Sequence, residues 1–172
     1  MIIRRQARTE TGGTDTVEKT LIILKPDALQ RGLVGNVISR FEDKGFEILA
    51  LKAMHISRDL AEKHYAVHEG KPFYPRLLKY ITSSPVVVIV LKANNAIAVA
   101  RKMLGATFGS NAEPGTIRGD FSLSNSFNLI HGSDSPEAAE FEIGLYFKPE
   151  ELLDYERIIE KWTYDFSDGE PE

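Results

Sequence analysis

Apolar positions along this chain fall into blocks whose period switches between that of a strand and that of a helix. Residues 20–24, Thr-Leu-Ile-Ile-Leu, are a short β-branched-rich run and predict a buried strand. Leu33, Val34, Val37, Ile38 and Phe41 then recur at helical spacing, and Gly45 follows as a C-terminal cap. Residues 46–56 alternate as a second strand would, and residues 59–67 and 72–81 predict two shorter helices. Residues 85–91, Pro-Val-Val-Val-Ile-Val-Leu, are almost wholly apolar, the mark of a central strand buried on both faces.

Asn94 is expected to cap a helix that runs through Leu104 and ends at Gly105. Gly105, Gly109, Pro114, Gly115 and Gly119 punctuate residues 105–126, which predicts a long loop of the kind that is either functional or disordered. Residues 127–130 suit a short edge strand. Ser135-Pro136-Glu137 combines a capping hydroxyl, a first-turn proline and an early acid, so a helix should start there and continue to about Gly144. Another turn or two is expected between Pro149 and Trp162. This order predicts an α+β domain of the ferredoxin-like βαββαβ type. It is an antiparallel sheet covered by helices, with a long inserted loop before the last strand.

The two ends differ from the middle. Residues 1–19 hold Arg4, Arg5 and Arg8, then a polar, Gly-containing run with no hydrophobic period, and are expected to be a disordered extension. The folded domain is expected over residues 20–164, with an acidic mobile tail over 165–172. The 172 residues are 42% hydrophobic and 27% charged, enough apolar material for one core. No apolar run approaches the roughly 18 to 20 residues a membrane helix needs. There are no cysteines, which excludes disulfides, Cys-based zinc sites and thiol catalysis. The net charge of −4 lacks the basic excess of a nucleic-acid binder, so nucleic acid is not the expected main partner. A small anion remains a good candidate, because a few placed cations suffice for it.

Phosphoryl-transfer chemistry would have to use an unusual design here. No Gly-x-x-x-x-Gly-Lys-Ser/Thr loop and no protein-kinase metal motif occurs. The most informative segment is Asn128-Leu-Ile-His-Gly-Ser-Asp-Ser-Pro-Glu137. His131 ends a predicted strand beside the start of a helix, where unpaired N–H groups and the dipole favour an anion. An imidazole so placed could attack phosphorus and form a phosphohistidine. Glu142, about two turns into that helix, could hold the other ring nitrogen. The plainer alternative is a turn histidine beside a helix cap.

Lys25-Pro26-Asp27 ends the first strand, Arg101 falls near the end of the helix after Asn94, and Thr107 and Arg118 lie in the long loop. Singly these are surface residues; with His131 they would clamp a polyphosphate and its transition-state charge. His64 and His68 have zinc-ligand spacing. Without the Glu of His-Glu-x-x-His or a third ligand, a surface or packing role is expected and no metal site. Tyr65 and Phe73-Tyr74 suit a core, although Phe73 after Pro72 could stack on a base.

Taken together, the chain resembles the nucleoside diphosphate kinases. The resemblance runs from about Thr20 to Tyr164. It rests on Lys25-Pro-Asp, Gln30-Arg-Gly-Leu-Val-Gly35, His64-Tyr65, Met103-Leu-Gly105, Pro114-Gly-Thr-Ile-Arg-Gly-Asp120 and Asn128-x-x-His-Gly-Ser-Asp134. It implies a ping-pong reaction in which a nucleoside triphosphate, typically ATP, phosphorylates His131 and a nucleoside diphosphate collects the group. Ser133 and Glu142 would orient or polarise His131. Lys25, Tyr65 and Asn128 would lie near the transferred phosphate and ribose. Arg101, Thr107 and Arg118 would be phosphate ligands, and Phe73 the base-stacking aromatic. Mg2+ would bridge the nucleotide phosphates rather than rest in a protein cage. Stacking without base-edge hydrogen bonds implies tolerance of any base.

The resemblance also implies a cytoplasmic homo-oligomer, a hexamer in preference to a tetramer. The chain departs from the family pattern at Phe108-Gly109, at Phe127 and at Asn125, positions that bear on loop packing and base preference. Two other functions compete for the same residues. A nucleotide-binding module without turnover would not need His131, Lys25, Arg118 and Glu142 together. A single-strand nucleic-acid binder would need an aromatic, basic central strand, and residues 86–91 are neither.

Overall fold

The computed structural model describes residues 17–155, 157–165 and 167. Most of the expected extension (residues 1–16) and most of the expected tail lie outside the described residues. Four strands, β1 (Val17–Leu24), β2 (Glu47–Met54), β3 (Val86–Asn94) and β4 (Ile130–Gly132), form one antiparallel sheet in the order β2-β3-β1-β4. This is the ferredoxin-like α+β arrangement expected. The helices in chain order are α1 (Pro26–Gln30), α2 (Val34–Asp43), α3 (Arg58–His64), α4 (Tyr74–Ile81), α5 (Ala96–Leu104), α6 (Ile117–Phe121), α7 (Pro136–Tyr146) and α8 (Glu160–Thr163). Among the described residues, no helix is long and apolar enough to cross a membrane.

Alternation along the central strands feeds two cores, because successive side chains leave a strand on opposite faces. Ile22 and Leu24 join Ile89 and Leu91 under α2 and α5. Leu21 and Ile23 join Val88 and Val90 under α3, α4 and α7. All four β1 residues are fully buried, and each such side chain contributes about 1.5–3 kcal/mol. That double burial explains the unbroken apolar runs from Leu21 to Leu24 in β1 and from Val86 to Leu91 in β3. His131 pairs with Ile23 in the sheet register, which puts it on the face that α3 and α7 cover.

Several boundaries differ from the sequence expectations. β1 begins at Val17 rather than Thr20, because Val17, Glu18 and Lys19 pair with the far end of β3. Asn94 ends β3 and does not cap α5. Asn95 stands at that boundary in the left-handed region (φ 50°), and Glu18 Oε2 accepts the Ile97 N–H at 3.2 Å. A partner distant in sequence therefore supplies the cap. Residues 105–126 are not loop throughout: a 3-10 turn (Gly109–Asn111) and α6 interrupt them. Thr116 Oγ1 caps α6 by accepting the Gly119 N–H at 3.1 Å, while a Cβ at Gly119 would strike the Glu113 carbonyl.

The last strand occupies residues 130–132 rather than 127–130, because a tight turn at Leu129 (φ 64°) delays its start. α7 starts as expected, with Ser135 Oγ accepting from Ala138 N at 3.1 Å, but runs on to Tyr146.

Candidate active site

α7 delivers Glu142 to the back of His131. His131 Nε2 lies 3.0 Å from both carboxylate oxygens, so it is the protonated ring nitrogen and the carboxylate accepts. The lone pair is then left on Nδ1, which has no hydrogen-bond partner among the described residues. Ser133 Oγ donates to Glu142 Oε2 at 2.6 Å and accepts from Leu21 N at 3.1 Å, tying the carboxylate to β1. Burial opposes ionisation of Glu142. The hydrogen bonds from His131 and Ser133 and the positive edge of the imidazole outweigh it and hold the pKa below the ordinary value.

A second cluster lies where β1 ends. Lys25 Nζ donates to Asn128 Oδ1 at 2.6 Å, and Asn128 Nδ2 donates to the Thr107 carbonyl at 2.8 Å, which fixes the amide orientation. Burial, then the charge of Arg118, lowers the Lys25 pKa to about 8. Arg118 is itself buried. Its Nε donates to Asn128 O at 3.2 Å, Nη1 to Gly105 O at 2.8 Å and Ala106 O at 3.4 Å, and Nη2 to Ile130 O at 2.7 Å. A guanidinium has five N–H donors, so one on Nη2 remains for a ligand. Burial and the neighbouring charge of Arg101 lower its pKa to about 10, which leaves it a cation at neutral pH.

The backbone between these clusters is strained. Leu129, fully buried, has φ 64°, and Ile130 N donates to Asn128 O at 2.7 Å, closing a three-residue γ-turn. Such a conformation costs a leucine about 1–3 kcal/mol and persists only when its surroundings impose it. Here Asp27 Oδ2 accepts the Leu129 N–H at 3.1 Å, Lys25 N donates to Leu129 O at 2.8 Å, and Tyr80 OH donates to Asp27 Oδ1. This turn delays the start of β4 to Ile130. It aims Asn128 at Lys25 and leaves His131 two residues on in the strand.

Aromatic rings complete the site. The His131 ring meets His64 edge to face at 4.6 Å between centroids and Tyr65 at 6.4 Å. His68 lies 6.2 Å from Tyr65 and 5.5 Å from Phe73, so a row of rings leads from His131 to Phe73, whose side is 43% exposed. The Tyr65 hydroxyl is buried without a partner among the described residues, and burial, then the Glu142 charge, pushes its pKa up. His64 is also buried, with neither ring nitrogen hydrogen-bonded. Burial and the adjacent His131 lower its pKa to about 3. Among the described residues, one group could hold a metal ion: His64, His131 and Glu142 offer ligand atoms that all lie within 4.8 Å of one another.

The structure thus joins His131 with Ser133 and Glu142, and Lys25 with Asn128, Arg118 and the Thr107 backbone. Arg101 stands exposed on the last turn of α5, close enough to Arg118 to perturb it. Phe73 reaches His131 only through other rings. Sequence reasoning missed Asp27 and Tyr80 as holders of the turn, and the carbonyl-binding role of Arg118. It gave His64 a surface or packing role, and the structure packs it against His131. The helical spacing of Ala61, His64 and Tyr65 was the available signal for that burial.

The chain is similar to known proteins in sequence and in fold. The nucleoside diphosphate kinase family model matches residues 18–152. A nucleoside diphosphate kinase of Carboxydothermus hydrogenoformans is 55% identical over 149 residues, 87% of this chain and 100% of that protein. One from Thermomicrobium roseum is 56% identical over 146 residues, 85% and 98% of the two chains. The solved structure of a halophilic nucleoside diphosphate kinase from Halobacterium salinarum, in complex with CDP, superposes with a TM-score of 0.85 at 43% identity. It covers 87% of this chain and 100% of its own.

The holding role of Asp27 can be measured. Asp27→Ala strands the buried Leu129 N–H and the Tyr80 hydroxyl, and denaturant unfolding should show a loss of about 1–3 kcal/mol. A change within about 0.5 kcal/mol, as at an ordinary surface position, would show that the turn holds itself.

Proposed function

This chain belongs to the nucleoside diphosphate kinase family and is a phosphotransferase acting on nucleotides, and we propose that it works by ping-pong through a phosphohistidine on His131. The observation that carries this is the fixed tautomer. With the proton held on Nε2 by Glu142, the Nδ1 lone pair is the one available for attack.

In the first half-reaction Nδ1 attacks the γ-phosphorus of ATP or another nucleoside triphosphate. The new P–N bond forms as the P–O bond to the β-phosphate breaks, and that electron pair leaves with the diphosphate. The ring becomes cationic as Nδ1 is substituted, and the buried Glu142 carboxylate stabilises it through Nε2–H. In the second half-reaction a terminal oxygen of a nucleoside diphosphate attacks the same phosphorus, and Nδ1 leaves. Lys25, Arg101 and Arg118 offset the charge on the phosphoryl oxygens. Thr107 adds a phosphate contact, Asn128 holds Lys25 in place, and the unpartnered Tyr65 hydroxyl can donate to a ligand oxygen.

Mg2+ enters with the nucleotide as part of the substrate. The donor set around Lys25 and Arg118 is cationic, and the one cluster of metal-type side chains among the described residues is rich in nitrogen, so neither offers the oxygen cage magnesium prefers. Phe73 presents an exposed ring, and stacking on it would accept any base. The halobacterial relative binds CDP, and the same pocket here would take di- and triphosphates in turn. A cytoplasmic homo-oligomer fits the family, a hexamer before a tetramer. Ile158 and Trp162 are 89% and 84% exposed, apolar surface that a second copy would cover. Sedimentation equilibrium decides between six copies and four.

With γ-labelled Mg-ATP and no acceptor, the protein should retain acid-labile, alkali-stable label and release it to GDP. His131→Ala should take up none; labelling at the wild-type rate would sink the mechanism. In Glu142→Gln, Ser133 would claim the amide oxygen and leave the NH2 facing Nε2, forcing the ring proton onto Nδ1. Labelling should then slow on the order of 10²- to 10⁴-fold.

The pH profile reports Lys25. Its ammonium is present below a pKa of about 8 and lost above it, while a bound polyphosphate favours the charged form. The KM for ATP should therefore be flat below that pH and rise about tenfold per pH unit above it. Lys25→Arg, charged throughout, should flatten the rise; an identical rise in both proteins would assign it elsewhere.

A further inference from the structure

His64 has no part in the transfer chemistry, and its burial needs a reason. It is 6% exposed, with both ring nitrogens unpaired, and such groups carry a desolvation cost that folded proteins normally avoid. Its ring lies against His131, and a nitrogen of each imidazole and an oxygen of Glu142 fall within 4.8 Å of one another. We propose that His64, His131 and Glu142 form a binding site for a borderline divalent transition-metal ion of the zinc type, and that its occupancy switches off His131 as a nucleophile.

The donor set decides which ion. Two imidazoles and a carboxylate are the ligands of catalytic His2Glu zinc sites, with a fourth position for water. They are a poor match for magnesium, which prefers oxygen. Zinc–nitrogen and zinc–oxygen bonds of about 2.0–2.2 Å put donors about 3.3–3.5 Å apart in a tetrahedron. Side-chain adjustments of about 1–1.5 Å, chiefly by His64, would close the cluster to that size. His64 brings an unused lone pair, and Glu142 is the acceptor in the group already, so the ion gives up few existing bonds.

The switch follows from proton placement. Glu142 faces Nε2, so an ion bridging that pair takes the Nε2 lone pair and displaces the Nε2 proton. A neutral imidazole keeps one proton, and with Nε2 on the metal that proton must sit on Nδ1. No bond to phosphorus can then form there. The ring changes tautomer, no net proton is released by it, and removal of the ion restores the nucleophile.

The switching half rests on His131 being the nucleophile; the binding half does not, and the two are read separately. In nucleotide-free, magnesium-free protein, cobalt(II) replaces zinc as an optical probe. One ion per chain should bind with the intense visible bands of tetrahedral coordination, and zinc should displace it. His64→Phe keeps the ring packing and His64→Gln keeps a polar group. Each should weaken cobalt binding by about a hundredfold or more, beyond what loss of an outer contact to a ligand costs. His68→Asn, the neighbouring histidine outside the cluster, should leave cobalt binding unchanged.

Rapid mixing of zinc-loaded protein with γ-labelled Mg-ATP should lower the initial labelling in proportion to the chains that carry zinc. Absence of tetrahedral bands, or undiminished binding in both His64 variants, overturns the site. Labelling of zinc-loaded protein at the unloaded rate overturns the switch. Cobalt binding in a protein that never takes label would support the site while refuting the phosphohistidine relay.

Discussion

Arg118 points its buried guanidinium at carbonyls of Gly105, Ala106, Asn128 and Ile130, and the arrangement of the site depends on that contact. The first two carbonyls follow the end of α5. The other two flank the γ-turn at Leu129. Asn128 O would keep the Ile130 N–H without this cation, but the Gly105, Ala106 and Ile130 carbonyls would lose their guanidinium donor, at a cost of about 1–3 kcal/mol for each left unpaired. One side chain therefore joins the far end of a long connection to the strand that carries His131. Because the guanidinium spends most of its donors on the protein, what it would offer a phosphate is a fixed charge more than a fork of hydrogen bonds.

The two clusters divide the electrostatic work. Around Lys25 and Arg118 the protein gathers positive charge in a buried place and leaves it incompletely compensated, which lowers both pKa values. Around His131 it does the reverse, burying a carboxylate against an imidazole and a hydroxyl. A phosphoryl group carries negative charge on its oxygens and is electrophilic at phosphorus. The first cluster suits the oxygens and the second prepares the atom that would meet the phosphorus. Neither arrangement needs a glycine-rich phosphate loop, which explains how a chain lacking one can still handle nucleotides.

Much of this was legible in the sequence. The apolar runs at residues 20–24 and 85–91 marked the two central strands, because strands buried on both faces leave little room for polar residues. Ser135-Pro136-Glu137 marked the start of α7, since a cap acts within one turn. His131 with Glu142 was legible for the same local reason. What escaped depended on residues far apart. Glu18 caps α5 from β1, so Asn94 was the wrong choice from local pattern alone. The positive φ of Leu129 is imposed by Asp27, about a hundred residues earlier, and nothing about a leucine announces it. The partnerless nitrogens of His64 follow from packing among Tyr65, His131 and Tyr146, which helical spacing suggests but does not establish.

His131, the proposed nucleophile, sits on β4, which among the described residues is the shortest strand and pairs only with β1. As the chain leaves the ribosome, β1, β2 and β3 can form their sheet, with Lys25 and the α5 arginine already synthesised, before β4 has been made. His131 is added next and its carboxylate partner only after it, when α7 emerges. A growing chain thus acquires its cations early and this imidazole late. If His131 reacts as proposed, competence would come only when nearly the whole domain has been synthesised, and a half-made chain would have the charge to attract a nucleotide but no group with which to react.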